Sequence, residues 1–431
     1  ENFDKIKCKI SNRLNFYIDN FLNANKITFL NKLLIFIYHK LKEKKMKKLI
    51  TLIIALLCLC FFNVLYAEGG KEPAVKSYKI GGAFSITGPA SFLGEPERNT
   101  MMMIGRMINE RGGINGIPLE LVIEDTVGDE TKAVNAVKKL ISSDNVLAII
   151  GTSRSGTTMA VIPIVEKAQV PLISCAAAEA IVKPVKKWVF KTPQLDRHAA
   201  MRIYEHMKKS GITKIAIISG TTAFGSEGRN HLKNLSADYG IAIVADETYA
   251  PQDTDMTSQL TKIRGTDAQA IVNWSIVPGQ VIVAKNMRQL GMTIPLYQSH
   301  GFGNIKYVEA AGEAAEGIIF PAGRLLIADV VPENHPQKKV LMEYKQLYEG
   351  KFKEDVSTFG GHAWDAMWLL VAALEKAGAD RAGIRDALEN IKGFAGTGGV
   401  FNYSPEDHGG LTPSAFAMLT VRNGRFTLLE D

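Results

Sequence analysis

From Ser77 onward the chain alternates short β-branched apolar runs with stretches of helical period. Tyr78 to Phe84 reads as a strand, Glu97 to Arg111 as a helix stopped by Gly112-Gly113, and Leu119 to Glu124 as the next strand. A helix over Thr131 to Ser142, a strand Val146 to Ile150, a helix ending at Ala168 and a strand Val170 to Ser174 continue the cycle. After Lys191-Thr192-Pro193 it restarts: strand Lys214 to Ser219, helix Ser226 to Tyr239, strands Ile241 to Tyr249 and Ala270 to Trp274, and helix Gly279 to Leu290. Strand-helix alternation of this kind implies right-handed βαβ units and a parallel sheet covered on both faces. Two successive runs predict an α/β protein of two Rossmann-like, doubly wound lobes, with a cleft between them at the carboxyl ends of the strands.

The segments at those strand ends are rich in hydroxyls and free amides. Ser85-Ile86-Thr87-Gly88-Pro89-Ala90 follows the first strand, Gly151 to Thr158 the third, and Ser174-Cys175-Ala176-Ala177-Ala178 the fourth. Such groups at the opening of a helix suit a carboxylate, through N–H donors and the helix dipole. Any one of them read alone is an ordinary Ser/Thr cap; three in succession at strand ends favour a binding site.

Residues 1–45, rich in Lys, Asn, Ile, Phe and Leu, show no sustained period and read as a segment upstream of the functional chain. Met46-Lys47-Lys48, the apolar run Leu49 to Val64 and Leu65-Tyr66-Ala67 have the basic, apolar and small-residue regions of a cleaved signal peptide, 46–67, rather than of a permanent anchor. That leader predicts export to the periplasm. It also distorts the net charge of +7, because residues 1–67 hold 12 of the 51 Lys and Arg but only 4 of the 44 Asp and Glu. The rest of the chain carries a net −1, which speaks against nucleic acid as a partner. Beyond the leader only Cys175 remains, in an apolar run where a buried small hydrophobe is expected rather than a reactive thiol.

Signatures of catalysis are missing. Gly301-Phe302-Gly303 lacks the third glycine of a dinucleotide fingerprint, Gly151-Thr152-Ser153-Arg154-Ser155 ends in Ser where a nucleophile elbow requires Gly, and no phosphate-binding loop occurs. His198, His206 and His231 do not have metal-ligand spacing. The expectation is a protein without enzymatic activity, cofactor or metal.

The run Gly81-Gly82-Ala83-Phe84-Ser85-Ile86-Thr87-Gly88-Pro89, followed by Asn109-Glu110-Arg111-Gly112-Gly113-Ile114-Asn115-Gly116, resembles the branched-chain amino acid binding proteins of ABC importers, which have the type I periplasmic binding fold. Gly301-Phe302-Gly303-Asn304, Ala314-Ala315-Glu316-Gly317 and Gly361-His362-Ala363-Trp364-Asp365-Ala366 are similar to later landmarks of that family. The resemblance implies three hinge crossings, near Thr192-Pro193, Pro321-Ala322 and Pro413-Ser414, with lobe one at 77–194 plus 323–413 and lobe two at 195–322 plus 414–431. It implies a ligand carboxylate held by Ser155 and the amides of Ala176 and Ala178, with Phe224, Ile276, His300 and Leu93 completing the site. Ser153, Arg154, Glu179 and Trp274 are secondary candidates. Permease and ATPase subunits of an importer are the implied partners, and the protein is expected to be a monomer.

Two departures bear on the ligand. Amino acid binders of this family hold the ligand ammonium with a Thr at the Ala178 position and a Glu just before the Gly-x-Gly-Asn landmark, where this chain has His300. A desolvated ammonium without a counter-charge costs several kcal/mol. Pro171 to Ala178, with Trp188-Val189-Phe190-Lys191-Thr192-Pro193, resembles a subgroup associated with aromatic carboxylates. The expected ligand is therefore an aromatic or keto acid. The alternative is leucine, isoleucine, valine or another amino acid, with Glu179 as ammonium partner after a one-residue shift of the loop; a sensory ligand-binding role is the remoter alternative.

Overall fold

The computed structural model describes residues 76–430 together with Lys32. Apart from Lys32, the expected upstream segment and signal peptide lie outside the described residues. Among those described, no helix is long and apolar enough to cross a membrane.

Two sheets organise residues 76–430. The first holds β1 (Tyr78–Phe84), β2 (Leu119–Asp125), β3 (Ala148–Gly151), β4 (Leu172–Ser174) and β5 (Val189–Lys191), all parallel, in the order β2-β1-β3-β4-β5. Between these strands run α1 (Ser91–Glu110), α2 (Glu130–Ser142) and α3 (Ser155–Ala168). The Asp129 carboxylate starts α2 by accepting from the Lys132 amide at 2.8 Å. The inner strands β3 and β4 are fully buried, as unbroken apolar runs require in a sheet covered on both faces, whereas the edge strand β2 is mostly half-buried.

After β5 the chain enters the second sheet through α4 (Asp196–Lys209). There β6 (Lys214–Gly220), β7 (Ala242–Tyr249), β8 (Ala270–Trp274), β9 (Leu296–Gln298) and β10 (Ile319–Ala322) are parallel, separated by α5 (Ala223–Leu235), α6 (Thr257–Arg264), α7 (Gly279–Gln289) and α8 (Ile305–Ala311). An antiparallel hairpin, β13 (Ala417–Arg422) with β14 (Arg425–Glu430), closes the order β14-β13-β10-β9-β8-β6-β7. Between β10 and β13 the chain returns to the first lobe through α9 (Lys338–Phe352), α10 (Thr358–Ala377), α11 (Arg381–Glu389) and the short ladder β11 (Phe394–Ala395) with β12 (Val400–Phe401). There α10 packs along α1.

The main difference from the sequence pattern is the start of α1, six residues earlier than the apolar period indicates. Pro96 sits inside the helix and interrupts that period. Similarly α5 begins at Ala223, where Thr222 accepts from the Gly225 amide at 3.2 Å, and ends at Leu235, the expected remainder forming a separate 3-10 turn.

Candidate functional site

Strand order reverses at β1 and β3 in the first sheet and at β6 and β8 in the second, which is where loops diverge and leave a crevice. A cavity of about 520 Å³ lies at both reversals at once. Pro89 and Ser155 line it from the ends of β1 and β3, and Thr221 and Ile276 from the ends of β6 and β8. Arg154 and Phe224 also line it, so four of the sequence candidates face one cavity, Arg154 and Ser155 from the first sheet and Phe224 and Ile276 from the second.

The three hydroxyl-rich loops are joined to one another. The Ser85 amide donates to Ser153 Oγ at 2.9 Å, and Ser153 Oγ donates to Oε2 of the buried Glu97 carboxyl group. Thr158 Oγ1 lies 3.0 Å from Ser174 Oγ, which accepts from the Ala176 amide at 3.1 Å. The Ala178 amide donates to Ser155 Oγ at 3.2 Å. Ser155 is the first residue of α3, and the preceding Arg154 makes no side-chain cap, so the helix presents its positive end beside the cavity. Gly151 permits this tight exit from β3: its φ is +112°, and a Cβ there would lie 2.2 Å from the Ala83 carbonyl oxygen.

Leu93, Ser153, Ala176, Ala178 and Trp274 are buried and are not among the residues that line the cavity. Trp274 packs over α5, where a Cβ on Gly228 would come within 2.0 Å of the indole. His300 is 7% exposed and boxed edge-on by Phe224, Trp274 and Phe416, with ring centroids 5.3, 5.8 and 5.5 Å away. Burial, reinforced by the positive Lys191, pushes its pKa well below the ordinary imidazole value, so the ring is neutral.

The residues from 77 to 425 match the family model described as periplasmic binding protein. The chain belongs to the periplasmic binding protein family. It is 27% identical over 321 residues to the leucine-, isoleucine-, valine-, threonine- and alanine-binding protein of Pseudomonas aeruginosa, covering 73% of this chain and 83% of that one. An extracellular ligand-binding receptor from Rhodopseudomonas palustris HaA2 superposes with a TM-score of 0.77 at 29% identity, over 82% of this chain and 99% of the other. A solute binding protein of R. palustris solved with benzoate superposes at 0.72 over 82% and 96% of the two chains; at 22% identity that likeness shows the fold alone.

Within this periplasmic binding protein, two buried charges escaped the sequence reading. Lys191, at the end of β5, donates through Nζ to the Ala177 carbonyl, and to the Gln194 carbonyl at 3.3 Å, which fixes the loop carrying Ala176 and Ala178. Asp196, the first residue of α4, is fully buried, and neither carboxylate oxygen has a hydrogen-bond partner. His300 Nε2 lies 3.4 Å from Asp196 Oδ1. Burial raises the Asp196 pKa and lowers that of Lys191, and each offsets part of the other's shift. The one signal in the sequence was a lysine closing an otherwise apolar strand, Val189-Phe190-Lys191. Glu179 is already engaged: its two oxygens lie 3.2 Å from Lys183 Nζ and 3.2 Å from His231 Nε2.

Proposed function

We propose that this protein is the extracytoplasmic solute-binding component of an ABC importer and that it holds a small carboxylate in the cavity between its lobes, passing it to permease and ATPase subunits. The observation that carries this reading is the meeting of Ser155 Oγ with the Ala178 amide, 3.2 Å apart at the positive end of α3. A carboxylate there takes charge-assisted hydrogen bonds from a hydroxyl and from backbone amides, the donor set that anions find at helix starts. The 520 Å³ volume suits a ligand of metabolite size.

The body of the ligand meets Phe224 and Ile276. Beyond Phe224 stands a neutral His300 inside a box of aromatic rings. An aromatic or keto acid fits that wall without demanding a counter-charge. A second reading, an amino acid such as leucine, is favoured by one observation: the buried Asp196 carboxylate, which has no hydrogen-bond partner. The named ligands of the Pseudomonas relative support the same reading.

A thermal-shift screen tests the proposal, because a ligand at 100 times its dissociation constant stabilises by about 2.7 kcal/mol. Benzoate, hydroxybenzoates, phenylpyruvate and branched 2-keto acids are compared with leucine, isoleucine and valine. A shift with the first group supports an acid without an ammonium group. A shift with the amino acids alone replaces it with the second reading, and no shift with any carboxylate overturns both.

A further inference from the structure

The two lobes meet through charged groups as well as through the cleft. Glu179 opens a 3-10 helix between β4 and β5 of the first sheet, while Glu227 and His231 lie one turn apart on α5 of the second. Glu227 Oε1 accepts from the Ala180 amide across the boundary at 3.3 Å, so closure brings two carboxylates, Glu179 and Glu227, to the same point. Left alone they repel. Between them stands His231, whose Nε2 is 3.2 Å from Glu179 Oε2 and 3.5 Å from Glu227 Oε1. The three side chains are only 15%, 13% and 26% exposed, so water screens this contact less than an open surface pair.

We infer that His231 is a proton-operated latch: charged, it bridges Glu179 and Glu227 and holds the lobes closed; neutral, it withdraws that bridge, their repulsion is less compensated and the lobes open more readily. The inference rests on the two-lobed, hinged fold and is independent of which ligand is bound.

The surrounding charges leave the sign unchanged. On α4 stand Asp196, which favours the charged imidazole, and His198, which burial keeps neutral with a pKa of about 4. Lys183 holds the other oxygen of Glu179, and the buried Lys191 faces Glu227 from β5. Burial alone would lower the His231 pKa, but the three carboxylates outweigh it and the pKa is raised. Because the closed form raises the pKa of His231, protonation favours closure: the latch is set at low pH and lost as pH rises through that pKa.

The test uses the chain without ligand. Lys138, on α2, and Lys285, on α7, are both exposed and on opposite lobes; each is replaced by Cys and spin-labelled, and the interlobe distance distribution is read by pulsed electron resonance. From pH 6 to pH 8.5 the ratio of closed to open molecules should fall about three- to tenfold, as expected for the loss of a partly buried ion pair. His231→Gln and Glu179→Gln should each remove that pH dependence, and His231→Lys, charged throughout, should stay closed at pH 8.5. A distribution in the unmodified latch that does not respond to pH, or a response retained in His231→Gln, would overturn the inference. Neither outcome involves bound ligand, so the transport reading stands or falls separately.

Discussion

The side-chain amide of Asn304 donates to the Phe92 carbonyl at 2.9 Å, across the boundary between the lobes. In an uninterrupted helix that carbonyl would accept from residue 96, but residue 96 is proline and has no N–H. The break that hides the start of α1 in the sequence thus creates a free acceptor, and the second lobe uses it. Asn304 also begins α8, its Oδ1 accepting from the Lys306 amide at 3.0 Å.

Asn304→Asp separates these roles, since aspartate keeps the cap but loses the donor and sets a carboxylate against a carbonyl. Stability to urea should change by less than about 0.5 kcal/mol if capping is preserved. Ligand affinity should fall about five- to tenfold, as expected when a hydrogen bond made only in the closed form is lost. Calorimetric titration alongside urea melts checks both, and an unchanged affinity would show that this contact does not contribute to closure.

Much of this arrangement was legible in the sequence, and the exceptions have physical causes. The inner parallel strands announce themselves as buried apolar runs, and the loops after β1, β3 and β4 by their hydroxyls and glycines. Those loops meet at the cavity because of strand order, which periodicity does not encode. Asp196 and Lys191 were not legible as a pair, because their significance lies in burial and in contacts with Ala177, Gln194 and His300. Glu179 was visible, but its engagement with His231, 52 positions away in sequence, depends on the packing of the two lobes.

Ser155→Ala should weaken binding of whichever carboxylate proves to be the ligand by about tenfold or more, the effect of losing one charge-assisted hydrogen bond worth about 1.5–3 kcal/mol. It should also lower the melting temperature of the free protein, because Ser155 Oγ accepts from the buried Ala178 amide, and stranding that N–H costs about 1–3 kcal/mol. Titration calorimetry on the folded variant is the check; equal affinities would move the anion site away from the start of α3.

Trp274 and Gly228 make a steric prediction. Alanine in place of a helical glycine ordinarily stabilises by about 0.5–1 kcal/mol. Here the added Cβ would come within 2.0–2.3 Å of three indole atoms, so overpacking decides the sign and Gly228→Ala should destabilise by about 1–3 kcal/mol. Combining it with Trp274→Leu should recover part of that loss. Additive losses in urea denaturation would place the strain elsewhere.

Glu97 should impose a pH dependence on stability. It is fully buried with Oε1 unpartnered, and burial raises its pKa well above the carboxylate range, against a smaller lowering by Ser153. The native state therefore holds a proton that the unfolded chain releases near its ordinary pKa of about 4.3. Stability attributable to this group is present below that value and declines as pH rises toward the folded pKa. Glu97→Gln, which cannot ionise, should show a shallower decline in urea stability from pH 5 to pH 8 than the parent. Parallel curves for the two would mean that Glu97 is ionised in the folded protein.

Asp196→Asn separates the two ligand readings. A buried carboxylate without hydrogen bonds is costly to retain, and it sits at the start of α4, where the helix dipole partly compensates its charge. If the ligand brings an ammonium group, that group supplies the missing partner, and replacing Asp196 leaves a desolvated cation opposite a neutral amide. The cost of breaking such a pair is about 3–5 kcal/mol, which for leucine or isoleucine means a loss of affinity of two orders of magnitude or more. If the ligand is an aromatic or keto acid, only the orientation of His300 responds, through its 3.4 Å approach to Asp196, and affinity should change by less than about fivefold. Testing both ligand classes on one preparation of the variant makes each the control for the other's folding. Leucine bound as tightly by the variant as by the parent would remove Asp196 as an ammonium partner. Benzoate or a keto acid losing two orders of magnitude would mean that Asp196 contacts the ligand even without an amino group.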